Sequence, residues 1–559
     1  MNKTDTKMLS KRLARLARLR APWESLWQDC YAYCLPQRQI GASDNPGRPR
    51  TDHLFDGTAP DAVDQLAASL LAQLAPPWSR WFGLAAGRDI SDEEHTAVAR
   101  ELDAAAEAVQ GHFDRSNLAI ELHQCFLDLV TGGTASLLFE EAPAGSASAF
   151  RFAAVPLAEI YVDEGPEGRL DVSLRKSSVP AEIFRTRFPK AVLDPEMERR
   201  IKDEEEVKLD VVEAVVPDGH GYRYTAFRPA EDASAPGGDG GQVLASGRFE
   251  TSPFVNFRWM KAPGERWGRS PVMKALPDIK TANKVVELVL KNASIAVTGI
   301  WQADDDGVIN PANIRLAPGT IIPKAVGSSG LTPLQAPGRF DVSQLVLNDL
   351  RARIRHALLV DKLGPLDGPR MTATEVLQRN AEMSRILGAT YGRLRSELIG
   401  PLVDRALAIL RRRGEIPDIR IDGRTVEFQH RSPPAQTQAR EDASNLHTWI
   451  ALLGQLGPGA QAALDPFAAA QWSARALGVP NEVVRAQPPA PVAGGIDELV
   501  KAMMGNSGAA AGTKAPSMPA DAAPAGAAGM LLTPAPASAG PVSPVQAAAQ
   551  QAGETDGRA

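Results

Sequence analysis

The sequence predicts an α+β fold in which helices enclose a block of short antiparallel strands, and three observations carry that prediction. Residues 135–259 fall into short β-like runs separated by turns too short for helical crossovers. The flanking stretches repeat apolar residues at helical spacing, most clearly over 7–35 and 268–297. Residues 487–559 are Ala/Pro/Gly/Ser text too poor in large apolar groups to fold alone, with "IDELVKAMMG" as their one amphipathic island. The remainder of the 559-residue chain is long enough for one large core or several domains.

The first helix, over 7–35, sets Leu13, Leu16, Leu19, Trp23, Leu26 and Trp27 at helical spacing among Lys11, Arg12, Arg15 and Arg18. It reads either as a helix packed on the body or as a basic arm for nucleic acid or a membrane surface. A helix over 61–74 stops at Pro76-Pro77, "WSRWFGL" reads as a strand, and helical patterns return over 91–113 and 118–130. The strand block follows as "ASLLFEE", "FRFAAVPL", "IYVD", "LDVSLRK", "VKLDVVEAVV", "YRYTAF" and "PFVNFRW", with "VVPDGHGYRY" as a hairpin and 230–241 as an exposed loop.

Ser270 and Pro271 then supply an N-cap and first turn for an apolar helix to residue 297, with Pro277 expected to kink or restart it at Asp278. Turn-rich text spans 298–340, and a second helix runs over about 342–359. The stretch "LLVDKLGPLDGPRMTATEV" interrupts the helical pattern until Thr372 and Glu375 form a capping box. A long helix follows, broken at Gly400-Pro401 and resumed to Arg413, with Gly414 as its stop. "IRIDGRTVEFQH" reads as a hairpin, and 439–486 return to helix.

Charge and motifs exclude more than they select. With 61 Lys and Arg against 67 Asp and Glu the net charge is −6, so no global basic field marks a nucleic-acid binder. Three cysteines, Cys30, Cys34 and Cys125, are too few for a disulfide framework and read as small apolar fillers. No apolar run reaches the ~18 residues of a membrane span, and the basic N-terminus lacks the apolar core of a signal peptide. The expectation is a soluble protein, intracellular where it is made. There is no Gly-Lys pair for a phosphate loop, no His-Glu-x-x-His, no paired Cys-x-x-Cys and no Gly-x-Ser-x-Gly. "GPGAQA" at 457–462 follows helix where a dinucleotide fingerprint needs strand, and "TGGTAS" at 131–136 reads as a helix-terminating turn. The acids Asp304 to Asp306 lack the alternating ligands and closing Glu of a calcium loop. No catalytic residue, metal or cofactor is expected.

The order of parts is more specific than any motif. "FDGTAPDAVDQLAASLLAQLAPPWSRWFGL", "VPLAEIYVDEGPEGRLDVSLRK", "PFVNFRWMKAPGERWGRSPVMKALPDIKTANK" and "MTATEVLQRNAEMSRILGATYGRLRSELIGPLVDRALAILRRRGEIP" occur in an order that resembles the head-to-tail connector (portal) proteins of short-tailed bacteriophages, over roughly residues 10–485. The resemblance implies a portal fold: a wing from 1–269, stem helices at 270–297 and 341–360, a clip at 298–340, and a channel loop at 361–371. A long kinked wing helix at 372–414 and wing completion with a crown at 415–486 follow. It also implies a non-enzymatic ring of about twelve subunits at one capsid vertex, conducting double-stranded DNA without sequence preference. Its partners would be the terminase large subunit, major capsid and scaffolding proteins, and tail adaptor proteins, with no membrane. It places the protein in the virion, and in host cytoplasm during assembly. The competing readings are another virion adaptor, from tail or internal core, and an enzyme without a recognisable motif.

Candidate DNA-facing residues follow from that layout. Lys280, Lys284 and Lys291 share a stripe with Glu287 on the first stem helix. Gln344, Asn348, Arg351 and Arg355 share one on the second, opposite Val342, Val346, Leu350, Ile354 and Ala357. Either stripe could face the channel, a neighbouring subunit or the capsid. In the loop, Asp361, Lys362, Asp367 and Arg370 cancel, which suits weak contacts with moving DNA.

Overall fold

The computed structural model describes residues 3–38, 51–77, 80–87, 92–189, 191, 195–203, 207–219, 221–229, 241–298, 301–303, 326, 331–333, 340–360, 388–419, 426–430, 433–456, 464–477 and 479. The chain divides into two units, Met1–Pro488 and Pro489–Ala559, of which the second lies outside those residues. So do the acids 304–306, the loop 361–371, the Thr372–Glu375 cap and "GPGAQA".

The first unit is α+β, as its periodicities require. Four helices and one strand come first: α1 (Lys3–Cys34), α2 (Thr58–Leu74), β1 (Phe82–Ala86), α3 (Asp92–Asp114) and α4 (Leu118–Gly132). The strand block contains β2 (Thr134–Glu141), β3 (Phe150–Val155), β4 (Ile160–Asp163), β5 (Val172–Pro180), β6 (Lys208–Asp218), β7 (Gly221–Arg228), β8 (Gln242–Phe249) and β9 (Phe254–Arg258), with α5 (Ala181–Arg187) and α6 (Pro195–Asp203) inserted after β5. All pairings are antiparallel, in one sheet ordered β3-β2-β9 and another ordered β4-β5-β6-β7-β8. The expected β6–β7 hairpin is present, its register closing at Asp218 opposite Gly221. Strand β8 and helices α5 and α6 were not expected. In "QVLASGRF" small and polar residues dilute the strand pattern, because the strand is only half-covered.

After β9 come α7 (Pro271–Thr298), the short antiparallel pair β10 (Trp301–Ala303) and β11 (Leu331–Pro333), and α8 (Phe340–Ala357). The chain resumes with α9 (Gly388–Leu394), a π-helical turn over Arg395–Ile399, α10 (Gly400–Arg413), β12 (Val426–His430), α11 (Pro433–Leu456) and α12 (Pro466–Leu477).

Two expectations need correction. Pro277 does not restart its helix at Asp278: α7 runs through it, with the exposed ring on the solvent side. The break at Gly400-Pro401 is a π turn just before it, with the Gly400 N–H donating to the carbonyl of Arg395 five residues back. The wider turn accommodates a ring that would clash with the carbonyl of Glu397 in α pitch. Of the hairpin expected in "IRIDGRTVEFQH", residues 420–425 lie outside the described set, and its second arm, β12, pairs with β1, Leu84 opposite Phe428.

The core explains the N-terminal helix. Helix α1 buries Leu16, Trp27, Cys30, Tyr31 and Cys34, and the Trp27 ring meets Trp267 edge-on at 4.9 Å. Packing on the body is thus the reading the structure supports for α1. All three cysteines are buried and free, and burial lifts the Cys30 thiol to about 12, which leaves it inert as a filler. Gly133, at φ +79°, ends α4 as "TGGTAS" predicts, donating its N–H to the Leu129 carbonyl at 3.0 Å. Its backbone crosses that of Gly268 so closely that a Cβ at either position would lie within about 2.2 Å of the other's carbonyl oxygen. This crossing sets the start of α7. There Ser270 caps the helix, its Oγ accepting from the Met273 N–H at 2.9 Å and donating to the Thr131 carbonyl at 2.9 Å.

Candidate functional site

Helix α7 changes character along its length. Val272, Ala275, Leu276, Ile279 and Ala282 are buried, whereas Leu288 and Leu290 in its second half are 50% and 53% exposed. Its partner α8 buries Leu350 and Ile354 but leaves Leu345 and Val346 74% and 45% exposed. An apolar surface on a helix pair therefore stands uncovered in the single chain.

The base of the pair is fixed by buried polar links. Asn283 accepts at Oδ1 from the N–H of Phe55 (2.6 Å) and Asp56 (3.1 Å), and donates from Nδ2 to the His53 carbonyl (2.8 Å). Asp56 in turn accepts from the Thr58 N–H at 3.0 Å and from Arg351 Nε at 2.9 Å. Burial works against the Asp56 carboxylate, but the hydrogen bonds from Thr58 and Arg351 outweigh it and hold the group below its ordinary range. Arg353 meets Asp278 at 3.0 Å, tying α8 to α7.

These links decide what each expected site residue does. Lys280 is spent within the chain, reaching Asp29 of α1 at 2.7 Å and the face of Tyr33. Lys284 and Lys291 return to Glu287 of their own helix at 2.9 and 2.6 Å, and these hydrogen bonds hold Glu287 below its ordinary range. The polar stripe of α8 divides: Arg351 turns inward to Asp56, while Gln344, Asn348 and Arg355 stay exposed. Arg355 lines a shallow concavity with Gly57, Thr58, Asp61, Ala62, Gln65 and Val360. Asp361, Lys362, Asp367 and Arg370 lie outside the described residues.

A second polar centre was not read from the sequence. Arg258, the last residue of β9, is fully buried, and all five of its N–H donors are used. It grips both oxygens of Glu397 in the π turn (2.6 and 3.3 Å), Glu164 at 2.5 Å, and the carbonyls of Arg266 (3.0 Å) and Gly168 (2.9 Å). Its backbone N–H also donates to Glu397 at 3.0 Å. Burial opposes its charge, yet the hydrogen bonds and charges of Glu397 and Glu164 outweigh burial and hold the guanidinium above its ordinary range. The signal was present in "PFVNFRW": strand alternation sets Asn256 and Arg258 on one face of a strand buried on both.

Among the described residues no group of His, Cys, Asp or Glu could hold a metal ion, and no helix is long and apolar enough to cross a membrane.

The whole first unit matches known proteins. A family model described as bacteriophage head to tail connecting protein matches residues 6–484. The portal protein of Enterobacteria phage T3 is 23% identical over 418 residues, covering 72% of this chain and 74% of that protein. The portal protein of Escherichia phage T7 is 23% identical over 414 residues, with the same coverage of each. That of Salmonella phage epsilon15 is 24% identical over 487 residues, covering 83% of this chain and 85% of its own. The chain belongs to the family of bacteriophage head to tail connecting proteins.

Proposed function

We propose that the chain is the portal subunit of a virion, placed at the junction of head and tail, where copies close into a ring around a path for double-stranded DNA. The reading is carried by one observation: apolar side chains on more than one side of the α7–α8 pair, Leu288, Leu290, Leu345 and Val346, stand exposed in the single chain. A single chain leaves these side chains in water, and a ring contact repeated by rotation puts one neighbour on each side of the pair in every copy. Family membership supplies the setting.

In this reading 1–269 build most of the wing, 270–297 and 341–360 the stem, 298–340 the clip and 361–371 the channel loop. The long helix 372–414 joins that loop to the wing, and 415–486 complete the wing and crown. Terminase, capsid, scaffolding and tail adaptor proteins would dock on the ring, which guides DNA and performs no chemistry. DNA contact would be sequence-independent, through exposed cations such as Lys284, Lys291 and Arg355 with the loop charges Asp361, Lys362, Asp367 and Arg370.

Electron microscopy of the purified full-length protein tests the reading. Rings of about twelve copies around a hole wide enough for duplex DNA are expected; monomers at every salt concentration would overturn it. Leu288→Asp combined with Leu345→Asp should abolish rings while the monomer keeps its unfolding midpoint, since both side chains are exposed in the single chain.

A further inference from the structure

The π turn at Arg395–Ile399 is a place where one helical rod holds a surplus residue, and such turns are rare enough to require a local cause. Pro401 gives part of it, since its ring is relieved by the wider turn. The rest comes from tertiary contacts that differ on the two sides. On the C-terminal side α10 is riveted to the sheets: Arg405 donates to the Phe139 carbonyl at 2.7 Å and the Thr251 carbonyl at 2.7 Å, and Arg411 and Arg412 pair with Glu250 and Glu141. On the N-terminal side the described part of α9, Gly388–Leu394, buries Thr390 and Leu394 and holds Gly388 and Gly392, both exposed. A Cβ added at either would meet nothing within 4 Å, so neither glycine is there for space, and each weakens the helix. Between the two sides, Glu397 is held by Arg258 and by Arg393 at 3.0 Å.

We propose that the Arg258–Glu397 pair is a latch that holds the π turn, and with it α9, against β9. With the latch closed, α9 and α10 keep the offset described here. With it open, Pro401 still keeps the turn wide, and α9 is released from that offset and frays relative to α10. Because Arg258 also holds Glu164 and the carbonyls of Gly168 and Arg266, a displacement of the loop that leads into α7 reaches Glu397 through one side chain. The latch rests on this geometry alone and stands whether or not the chain forms a ring.

Amide hydrogen exchange on the full-length protein tests it, comparing the wild type with Glu397→Gln, which keeps the shape of the side chain and removes its charge. Exchange in residues 388–399 should accelerate at least tenfold while 400–413 and β2 stay as slow as in the wild type. Arg393→Gln, which leaves the Arg258 contact in place, should change exchange far less. Unchanged exchange over 388–399 in Glu397→Gln, or an equal acceleration over 400–413 and β2, would overturn the latch. An Arg393→Gln effect as large as that of Glu397→Gln would do the same.

Discussion

Helices α7 and α10 both bury an apolar face, both contain a proline and both carry a row of cations, yet they use those cations differently. On α10, Arg405 is buried against the Phe139 and Thr251 carbonyls, Arg411 meets Glu250 and Asp418, Arg412 meets Glu141, and Arg413 meets Glu415. Every one of them reaches a strand or turn of the same chain. On α7, Lys280 reaches α1, but Lys284 and Lys291 fold back on Glu287. A row of cations on an apolar helix therefore does not say whether its face is open. What stands opposite decides that, and for Arg405, Arg411 and Arg412 of α10 acceptors come from segments some 150 to 270 residues away in sequence.

The closed region should fail most sharply at its buried cations. Arg258→Met removes the counter-charge of Glu397 and Glu164 and should cost about 3–5 kcal/mol, the range for breaking a buried ion pair from one side. Denaturant unfolding measures it, and a loss under ~1 kcal/mol would show the network to be dispensable. Arg405→Ala comes next. Burial, with a smaller push from Arg412, draws Arg405 down to about 10, so the group is still charged at neutral pH, stacked between Phe139 and Phe249. Its loss orphans two carbonyls and should cost about 2–4 kcal/mol, with Arg405→Lys recovering part.

A smaller effect separates the base of the α7–α8 pair from its open end. Asp56 is held below its ordinary range, so its pairing with Arg351 contributes fully above the unfolded carboxylate value near ~3.9 and is lost as pH falls through the lower folded value. Asp56→Asn should lower stability at neutral pH and flatten the acid limb of a stability–pH curve. A variant that follows the wild-type acid limb would show that Asp56 does not titrate with unfolding.

The same contrast marks where sequence reasoning reached. Helical and strand periods located α1, α2, α7, α8 and most of the strands, because each buries a face and pattern follows burial. The caps at Ser270, Gly133 and Gly414 were legible because they use local chemistry. The β1–β12 pairing was not legible, since a strand's partner 344 residues away leaves no local mark. Nor were the roles of Arg351 and Lys280, whose partners Asp56 and Asp29 are set by the fold. Arg405 did leave a trace, a cation on the face of α10 that Leu402 and Ile409 bury.

The mildest change asks which way the open stripe faces. Lys284→Ala with Lys291→Ala takes the trio from +1, two lysines and one glutamate, to −1 and releases Glu287. Both lysines are exposed, so the unfolding midpoint of the monomer should hardly move. In a ring the change repeats in every copy. If the stripe lines the channel, DNA binding should weaken and its dependence on salt should become shallower, because fewer phosphates are neutralised. If the stripe meets a neighbouring subunit, ring formation itself should become the salt-sensitive step while DNA binding by assembled rings is unchanged. A double variant that alters neither would remove Lys284 and Lys291 from the working surface and leave the apolar face around Leu288 as the whole of α7's contribution to assembly.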